Sequence, residues 1–381
     1  MRVTRLDVGN LRRFERASLL PGPGINVLTG DNGAGKTSVL EALHLMAYGR
    51  SFRGRVRDGL VRAGADSLEV YVEWREEPAT AASTAAGPGN QVGRVRRAGL
   101  RHSGQQWEGR LDGEDVTHLG DLCAALVVVT VEPGSHALIV GSSEIRRRFI
   151  DWGLFHVEPR FLPLWRRYAR ALKQRNALLK RRTTDSQMDA WEAELAQAGE
   201  SITQQRQAYV EALQPRLGDL VDALLPAAGR CNLAYQPGWR QDELSLADAL
   251  LLARDRDLAA GFTTVGPHRA DWRIDYSAIP GRSALSRGQA KLSALAALLA
   301  QAEHHADVRG DWPVVALDDL ASELDQNHQR RVLERLDATP AQVFITGTER
   351  PALLTETVKD VALFHVEHGQ LQPEGASPEQ G

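Results

Sequence analysis

The stretch GDNGAGKTSVLEALHLMAYG, Gly30 to Gly49, decides the fold. Its first eight residues, Gly30, Asp31, Asn32, Gly33, Ala34, Gly35, Lys36 and Thr37, fit the phosphate-binding pattern G-x-x-x-x-G-K-[ST]. Ahead of them GINVLTG (Gly24–Gly30) reads as a short buried strand, and behind them Val39, Leu40, Leu43 and Met46 recur at helical spacing. Strand, loop and helix in that order are the context the motif requires. The glycines let the backbone curl until several N–H groups point at one anion. A helix opening near Lys36 adds its own unsatisfied N–H groups and positive dipole end. Lys36 can neutralise the β- and γ-phosphates, and the Thr37 hydroxyl can ligate Mg²⁺. A chance match in such a chain is on the order of 1%, and the flanks lower it further. The pattern predicts a chain that binds a nucleoside triphosphate with Mg²⁺, and by itself leaves open a kinase, a small GTPase, a helicase or a transporter ATPase.

Bulk composition sets the remaining bounds. The 381 residues suffice for about two to three domains' worth of core. With 43% hydrophobic and 25% charged residues, the chain reads as an ordinary globular protein. A net charge of −3 excludes a global basic field, so any nucleic-acid surface has to be local. Cys123 and Cys231 offer neither metal-ligand spacing nor a disulfide framework, which suits a reducing cytosol. The opening MRVTRLDVGNLRRF has no apolar signal core. The longest apolar runs, Leu122–Val131 and Leu292–Ala300, are too short to span a bilayer. A soluble, cytoplasmic protein without a membrane partner is expected.

Along the chain the pattern changes twice. Residues 1–150 read as strand-rich, with RVTRLDV, INVLTG, SLEVYVEW and ALVVVTV, and Glu76–Gln91 reads as a mobile Pro/Ala/Gly/Ser loop. Residues 151–260 read as a helical insertion lobe, including Leu164–Arg182 with eight basic residues and no acid, then a second long helix over Met188–Leu217. In residues 261–370 strand signals return: GFTTVGPHRADWRIDY alternates, WPVVALDD and QVFITGT read as buried strands, and VALFHVEHGQL as a hairpin. Residues 371–381 read as a flexible tail. The fold class predicted is α/β, a nucleotide-binding head split in sequence by a helical insertion.

Two later motifs narrow the enzyme class. VVALDD (Val314–Asp319) is an apolar strand ending in acids, as a Walker B strand does. Asp318 would hold Mg²⁺ through water, and Asp319 would orient or deprotonate the attacking water. LSRGQAK (Leu285–Lys291) starts a helix about thirty residues earlier. Ser286 there could be a plain helix N-cap. In this order and spacing, however, Ser286, Arg287, Gly288 and Gln289 resemble the signature of ABC-type ATPases, which grips the γ-phosphate held by a second subunit. ASELD (Ala321–Asp325) follows like a D-loop, which would put Asp325 at a dimer interface.

The likeness extends further. LRRFERASLLPGPGINVLTGDNGAGKTSVLEALHLMAYGRSFR, RRRFIDWGLFHVEP and VGPHRAD, with LSRGQ and LDDLASELD, resemble the bacterial RecF family from end to end. RecF proteins are similar to SMC heads without the long coiled-coil arm, and this insertion is too short for such an arm. The resemblance implies an ABC-type P-loop ATPase head with a helical lobe II. It implies an ATP-dependent homodimer that binds double-stranded DNA near single-strand gaps, acting with RecR and RecO to help load RecA in replication and repair. It places Arg12 near nucleotide, although an exposed strand-edge arginine accounts for that residue equally well. Glu132, in TVEP, stands where ABC enzymes sense Mg²⁺ with Gln.

Asp319 in place of the usual Glu, and Thr346–Thr348 without a switch histidine, point to slow hydrolysis. A turnover below roughly 10 s⁻¹ suits a timing switch. His268, in GPHRAD, reads as structural, and Trp152, Trp165 and Trp191 as core. DNA candidates are Arg53 and Arg55 in RSFRGRVR, and Arg166, Arg170, Lys173 and Lys180, which share one helical face. A solvated basic face explains such runs as well as phosphate binding does. The competing readings are the ATPase subunit of a membrane transporter and an SMC-like structural tether. LSRGQ in place of LSGGQ and the basic insertion disfavour the first, and the short insertion disfavours the second.

Overall fold

The computed structural model describes residues 1–54, 56, 59–76, 93–182, 186–351, 354 and 361–374. Arg55, most of the predicted loop at 76–91, and 375–381 lie outside the described residues. Two compact units are present, residues 1–135 with 305–381, and residues 136–304. The sequence divides instead at 150 and 260. The second unit is larger because β10 (Asp271–Tyr276) pairs antiparallel with β9 (Cys231–Gln236), and the Trp272 indole donates to the Arg146 carbonyl at 2.8 Å.

The first unit contains two sheets. The strands β1 (Arg2–Leu11), β2 (Phe14–Leu19), β4 (Leu68–Glu76), β5 (Arg94–His102), β6 (Trp107–Leu111) and β7 (Glu114–Val116) form an antiparallel sheet in the order β2-β1-β4-β5-β6-β7. The second sheet runs β14-β13-β3-β12-β11-β8, from β14 (Gln370–Pro373), β13 (Val361–Glu367), β3 (Ile25–Thr29), β12 (Val343–Thr346), β11 (Val314–Leu317) and β8 (Val128–Val131). All its pairings are parallel except β13 with β14. Residues 371–373, expected in a loose tail, are strand because Leu371 pairs with Val366. Helix α1 (Lys36–Tyr48) is buried on nearly every side, Val39 to Ala47 without a break. Its apolar residues share one core with Leu6, Val8, Phe14, Val72 and Trp74 of the antiparallel sheet and Leu28, Val314 and Phe344 of the parallel sheet. A helix apolar all round needs a partner on each side. Short helices α2 (Leu119–Ala125), α9 (Leu320–Glu323) and α10 (Gln326–Asp337) complete this unit.

The second unit is helical: α3 (Ala137–Val140), α4 (Ser143–Val157), α5 (Phe161–Arg181), the 39-residue α6 (Ser186–Leu224), α7 (Leu246–Ala260), and most of α8 (Arg287–Arg309), as far as His304. Strand β9 interrupts a stretch expected to be helical, and only Asp271–Tyr276 of the expected strand at 261–276 is extended. Within the basic run, Arg175 is fully buried. It donates to Asp257 at 2.7 Å, to Thr263 Oγ1 at 2.9 Å and to Glu192 at 2.9 and 3.0 Å, tying α5, α6 and α7 together. A buried charge needs such paired and hydrogen-bonded company. Trp165, expected in the core, is 41% exposed, because the buried stripe of α5 runs through Phe161, Tyr168, Ala171, Arg175 and Leu179. His268 is structural as expected. Its Nε2–H donates to the Thr263 carbonyl at 3.0 Å, so Nδ1 accepts from Tyr168 at 2.7 Å. Burial pushes its imidazole down to about 4.

Candidate nucleotide-binding site

Open α/β sheets hold ligands outside the carboxyl ends of their parallel strands. Here β3, β12 and β11 lie side by side and end in the phosphate loop, Thr346 and Asp318. A cavity of about 590 Å³ sits at these ends, within the range of a nucleotide-sized site. Asn32, Gly33, Gly35, Lys36, Thr37, Asp318 and Asp319 all line it.

The loop conformation demands its glycines. Gly30 has φ 139°, and a Cβ there would meet the Val366 carbonyl oxygen at 2.1 Å, so no other residue fits. Gly35, with φ 122°, turns the chain directly into α1. The Lys36 ammonium donates to the Gly30 carbonyl at 2.6 Å and to that of Asp31 at 2.9 Å. Burial lowers its pKa, against the pull of Asp319, Asp31 and Asp318. Thr37 Oγ1 donates to Asp318 Oδ1 at 2.8 Å, joining residues 281 positions apart. Burial raises the Asp318 pKa, while hydrogen bonds from Thr346 and Thr37 oppose it. Asp319 is left-handed at φ 54°, and its carboxylate accepts from Ser322 Oγ at 2.8 Å.

No group of three or more His, Cys, Asp or Glu able to hold a metal occurs among the described residues. That donor chemistry does not suit a dedicated all-protein cage. It fits Mg²⁺, which keeps several waters and binds through one or two protein oxygens plus substrate phosphates. Thr37 and Asp318 are the residues that would hold it. Glu132 lines the cavity too, but its carboxylate accepts the Gly134 N–H two residues on.

The arginines divide in a way the sequence does not reveal. Arg12, at φ 54°, donates to both oxygens of buried Glu41 at 3.0 and 2.8 Å and to the Gly59 carbonyl. The carboxylate raises its pKa above the ordinary arginine value. The neighbouring Arg13 lies over Gly33, and both arginines line the cavity. Arg13, Phe52, Arg53, Pro133 and Thr346 line the cavity beside the expected residues. Arg53, expected on DNA, is thus a cavity residue whose charge also lowers the Asp318 pKa. Nothing in LRRF tells which of the two arginines pairs with Glu41.

A stack below the cavity contains His44, which lies 4.0 Å from the Tyr48 ring and meets Phe52 edge-on at 5.1 Å. Its Nδ1 lies 3.0 Å from Thr130 Oγ1, and burial, aided by Arg50, pushes the imidazole from 6.5 down to about 3. Below pH 6.5 the unfolded chain takes up a proton that the folded chain refuses, so stability falls with pH. The slope approaches about 1.4 kcal/mol per pH unit for this group. His44→Gln should flatten the pH dependence of urea unfolding between pH 6 and 4. An unchanged slope would reject a neutral buried His44.

A larger hollow of about 1060 Å³ lies on the outer face of the antiparallel sheet, over Tyr71 and Gly99. Two of its arginines are paired with neighbouring carboxylates, Arg110 with Asp115 at 2.8 Å and Arg101 with Glu69 at 3.7 Å. The convergent chemistry belongs to the smaller cavity.

The signature residues belong to the second unit, at the start of α8. Ser286 Oγ accepts from the Gln289 N–H at 3.2 Å, and Gln289 Oε1 accepts from the Ser286 N–H at 2.9 Å. That is a capping box. Ser286, Arg287 and Gly288 are exposed. Asp325 caps α10, accepting from the His328 N–H at 3.0 Å. Arg166, Arg170, Lys173 and Lys180 are exposed on α5, with Arg170 lying 5.9 Å over the Trp191 ring. No helix among the described residues is long and apolar enough to cross a membrane.

Comparison with known proteins agrees with this geometry. The model of the family described as RecF/RecN/SMC N terminal domain matches residues 2–372. The DNA replication and repair protein RecF of Stenotrophomonas maltophilia (strain R551-3) is 64% identical over 371 residues, 97% of this chain and 99% of that protein. Among solved structures, the recombination mediator protein RecF-ATP of the RecFOR pathway aligns with a TM-score of 0.84 at 23% identity, covering 98% of this chain and 97% of that one. An SMC head bound to the C-winged helix domain of ScpA aligns at 0.59 and 15% identity, over 100% and 98%. The two structural likenesses bear on the fold, an SMC-type ATPase head. With a family match over nearly its whole length and a relative this similar, the chain belongs to the RecF family.

Proposed function

We propose that the chain is an ATP-gated DNA-binding protein of replication and recombinational repair. Two copies close on ATP held between the phosphate loop of one and Ser286–Gln289 of the other, bind duplex DNA near single-strand gaps, and reopen on slow hydrolysis. RecR- and RecO-type mediators and the recombinase RecA are the partners that family membership suggests. The observation that carries the nucleotide chemistry is the bond from Thr37 to Asp318, which brings a phosphate loop and an acidic strand together at one cavity.

Within the site, Lys36 and the loop N–H groups would bind and orient the phosphates. Bound Mg²⁺ would neutralise charge on the β- and γ-phosphates. Asp319 would orient the attacking water or take its proton. The exposed basic stripe of α5, Arg166, Arg170, Lys173 and Lys180, supports backbone contacts to DNA that are salt-sensitive and nearly indifferent to sequence.

Fluorescence anisotropy on gapped duplex, blunt duplex and single strand, with ATP, ADP or no nucleotide, tests the reading. Binding to duplex should strengthen with ATP and weaken with salt. Reversing Arg170 and Lys173 to Glu should reduce the log–log salt slope by about one for each lost phosphate contact. Absence of nucleotide-dependent binding to any of the DNAs would reject the DNA-gating function.

A further inference from the structure

Because β12 lies between β3 and β11, its carboxyl end opens between the phosphate loop and the acid pair. Thr346, the last residue of β12, is 1% exposed and lines the cavity. Its hydroxyl makes two bonds in opposite senses. It donates to Asp318 Oδ1 at 2.7 Å and accepts the Asp319 N–H at 2.9 Å. The first, with the bond from Thr37, brings two hydroxyls onto one carboxylate oxygen and fixes the plane of Asp318. The second holds the left-handed backbone of Asp319, a conformation uncommon for non-glycine residues that aspartate takes more readily than most. From Asp319 the chain turns into α9, and the Asp319 carboxylate is held on Ser322. A single side chain therefore sets the orientation of one acid and the backbone of the next.

We propose that Thr346 is a positioning residue for ATP hydrolysis, holding Asp318 and Asp319 in mutual register at the γ-phosphate end of the cavity. The inference rests on the ATPase reading above. It gives the end of β12, where no switch histidine stands, a task carried out through the acids. A hydroxyl can donate and accept at once, whereas valine has the same shape and can do neither.

The test compares the wild-type chain with Thr346→Val and Thr346→Ser. Steady-state hydrolysis gives kcat and KM, and the fluorescence of a labelled ATP titrated with Mg²⁺ gives the metal concentration for half-maximal binding. Loss of a group that orients a metal-ligating residue typically costs about 10–100-fold. Thr346→Val should lose kcat by about that factor with KM for ATP changed less than about threefold, and should need more Mg²⁺. Thr346→Ser should stay within a few-fold of wild type in both readouts. Should the valine chain fail to fold, Thr346→Ala against Thr346→Ser makes the same comparison of one oxygen. A residue that only packs predicts that valine is tolerated at least as well as serine, and that result overturns the inference. Wild-type turnover with undiminished Thr346→Val overturns the inference alone. No turnover in the wild-type chain overturns the ATPase reading, and the inference with it.

Discussion

Replacing Lys36 with methionine is expected to weaken nucleotide binding roughly 100-fold while leaving the nucleotide-free fold as stable as before. The two halves of this result have separate causes. In the folded chain Lys36 is 9% exposed, and its ammonium is bonded to the carbonyls of Gly30 and Asp31. Burial lowers its pKa, so holding that charge does the fold no net service. Methionine has similar length without the charge and adapts to irregular space. Against a triphosphate the same ammonium makes charge-assisted hydrogen bonds worth roughly 1.5–3 kcal/mol each. Losing about 3 kcal/mol weakens binding roughly 100-fold. Thermal unfolding reads both halves. Wild type should gain about 2.7 kcal/mol at an ATP concentration 100 times its Kd. Without nucleotide Lys36→Met should unfold where wild type does, and at that same ATP concentration it should gain only about 0.4 kcal/mol. A variant that binds ATP within about threefold of wild type would remove Lys36 from the phosphate site.

What the sequence reveals about this site follows from how local each feature is. The phosphate loop is a fixed pattern over eight residues, and its glycines are needed at the backbone step where they stand. The acids of Asp318 and Asp319 are readable because β11 is four apolar residues ending in a carboxylate pair. Arg13, Phe52 and Thr346 are not readable, because each enters the cavity through a tertiary event. Arg12 is tied to Glu41 while Arg13 lies over Gly33, and the strand order places β12 beside β11. Buried Arg175 looks identical in sequence to exposed Arg170. Only the approach of Glu192 and Asp257 from other helices separates them. The helical unit misleads for a related reason. CNLAYQ alternates weakly and becomes strand only because DWRIDY, 35 residues away, pairs with it across the full length of β9. Arginine-rich β5, RVRRAGLRH, hides its sheet character because one face carries Arg97 and Arg101 while Ala98 and Leu100 face the core.

Ser286→Arg should leave ATP affinity unchanged and eliminate ATP-driven dimerisation. In one chain Ser286 is an N-cap at an exposed helix start, and a Cβ built on Gly288 would find only Ser286 Oγ, 4.0 Å away. That surface is open, so arginine is accommodated in the monomer at the loss of a cap worth about 1 kcal/mol. In the closed dimer the same surface would meet a γ-phosphate held by the other copy, and a long side chain would keep the two apart. Cap loss and steric exclusion are separable. Ser286→Asp keeps a competent N-cap but opposes the phosphate with like charge. It should therefore preserve thermal stability and still lose the dimer. Ser286→Ala removes the cap without bulk or charge and should weaken association less than either. Light scattering with ATP, across a concentration series, measures all three. If both the arginine and aspartate variants dimerise as wild type does, the helix start is a cap and nothing more, and ATP closes no composite site. If only the arginine variant fails, bulk rather than anion recognition is what the interface rejects. Loss in both, with ATP still bound, would leave the γ-phosphate of the other copy as the group that Ser286 recognises.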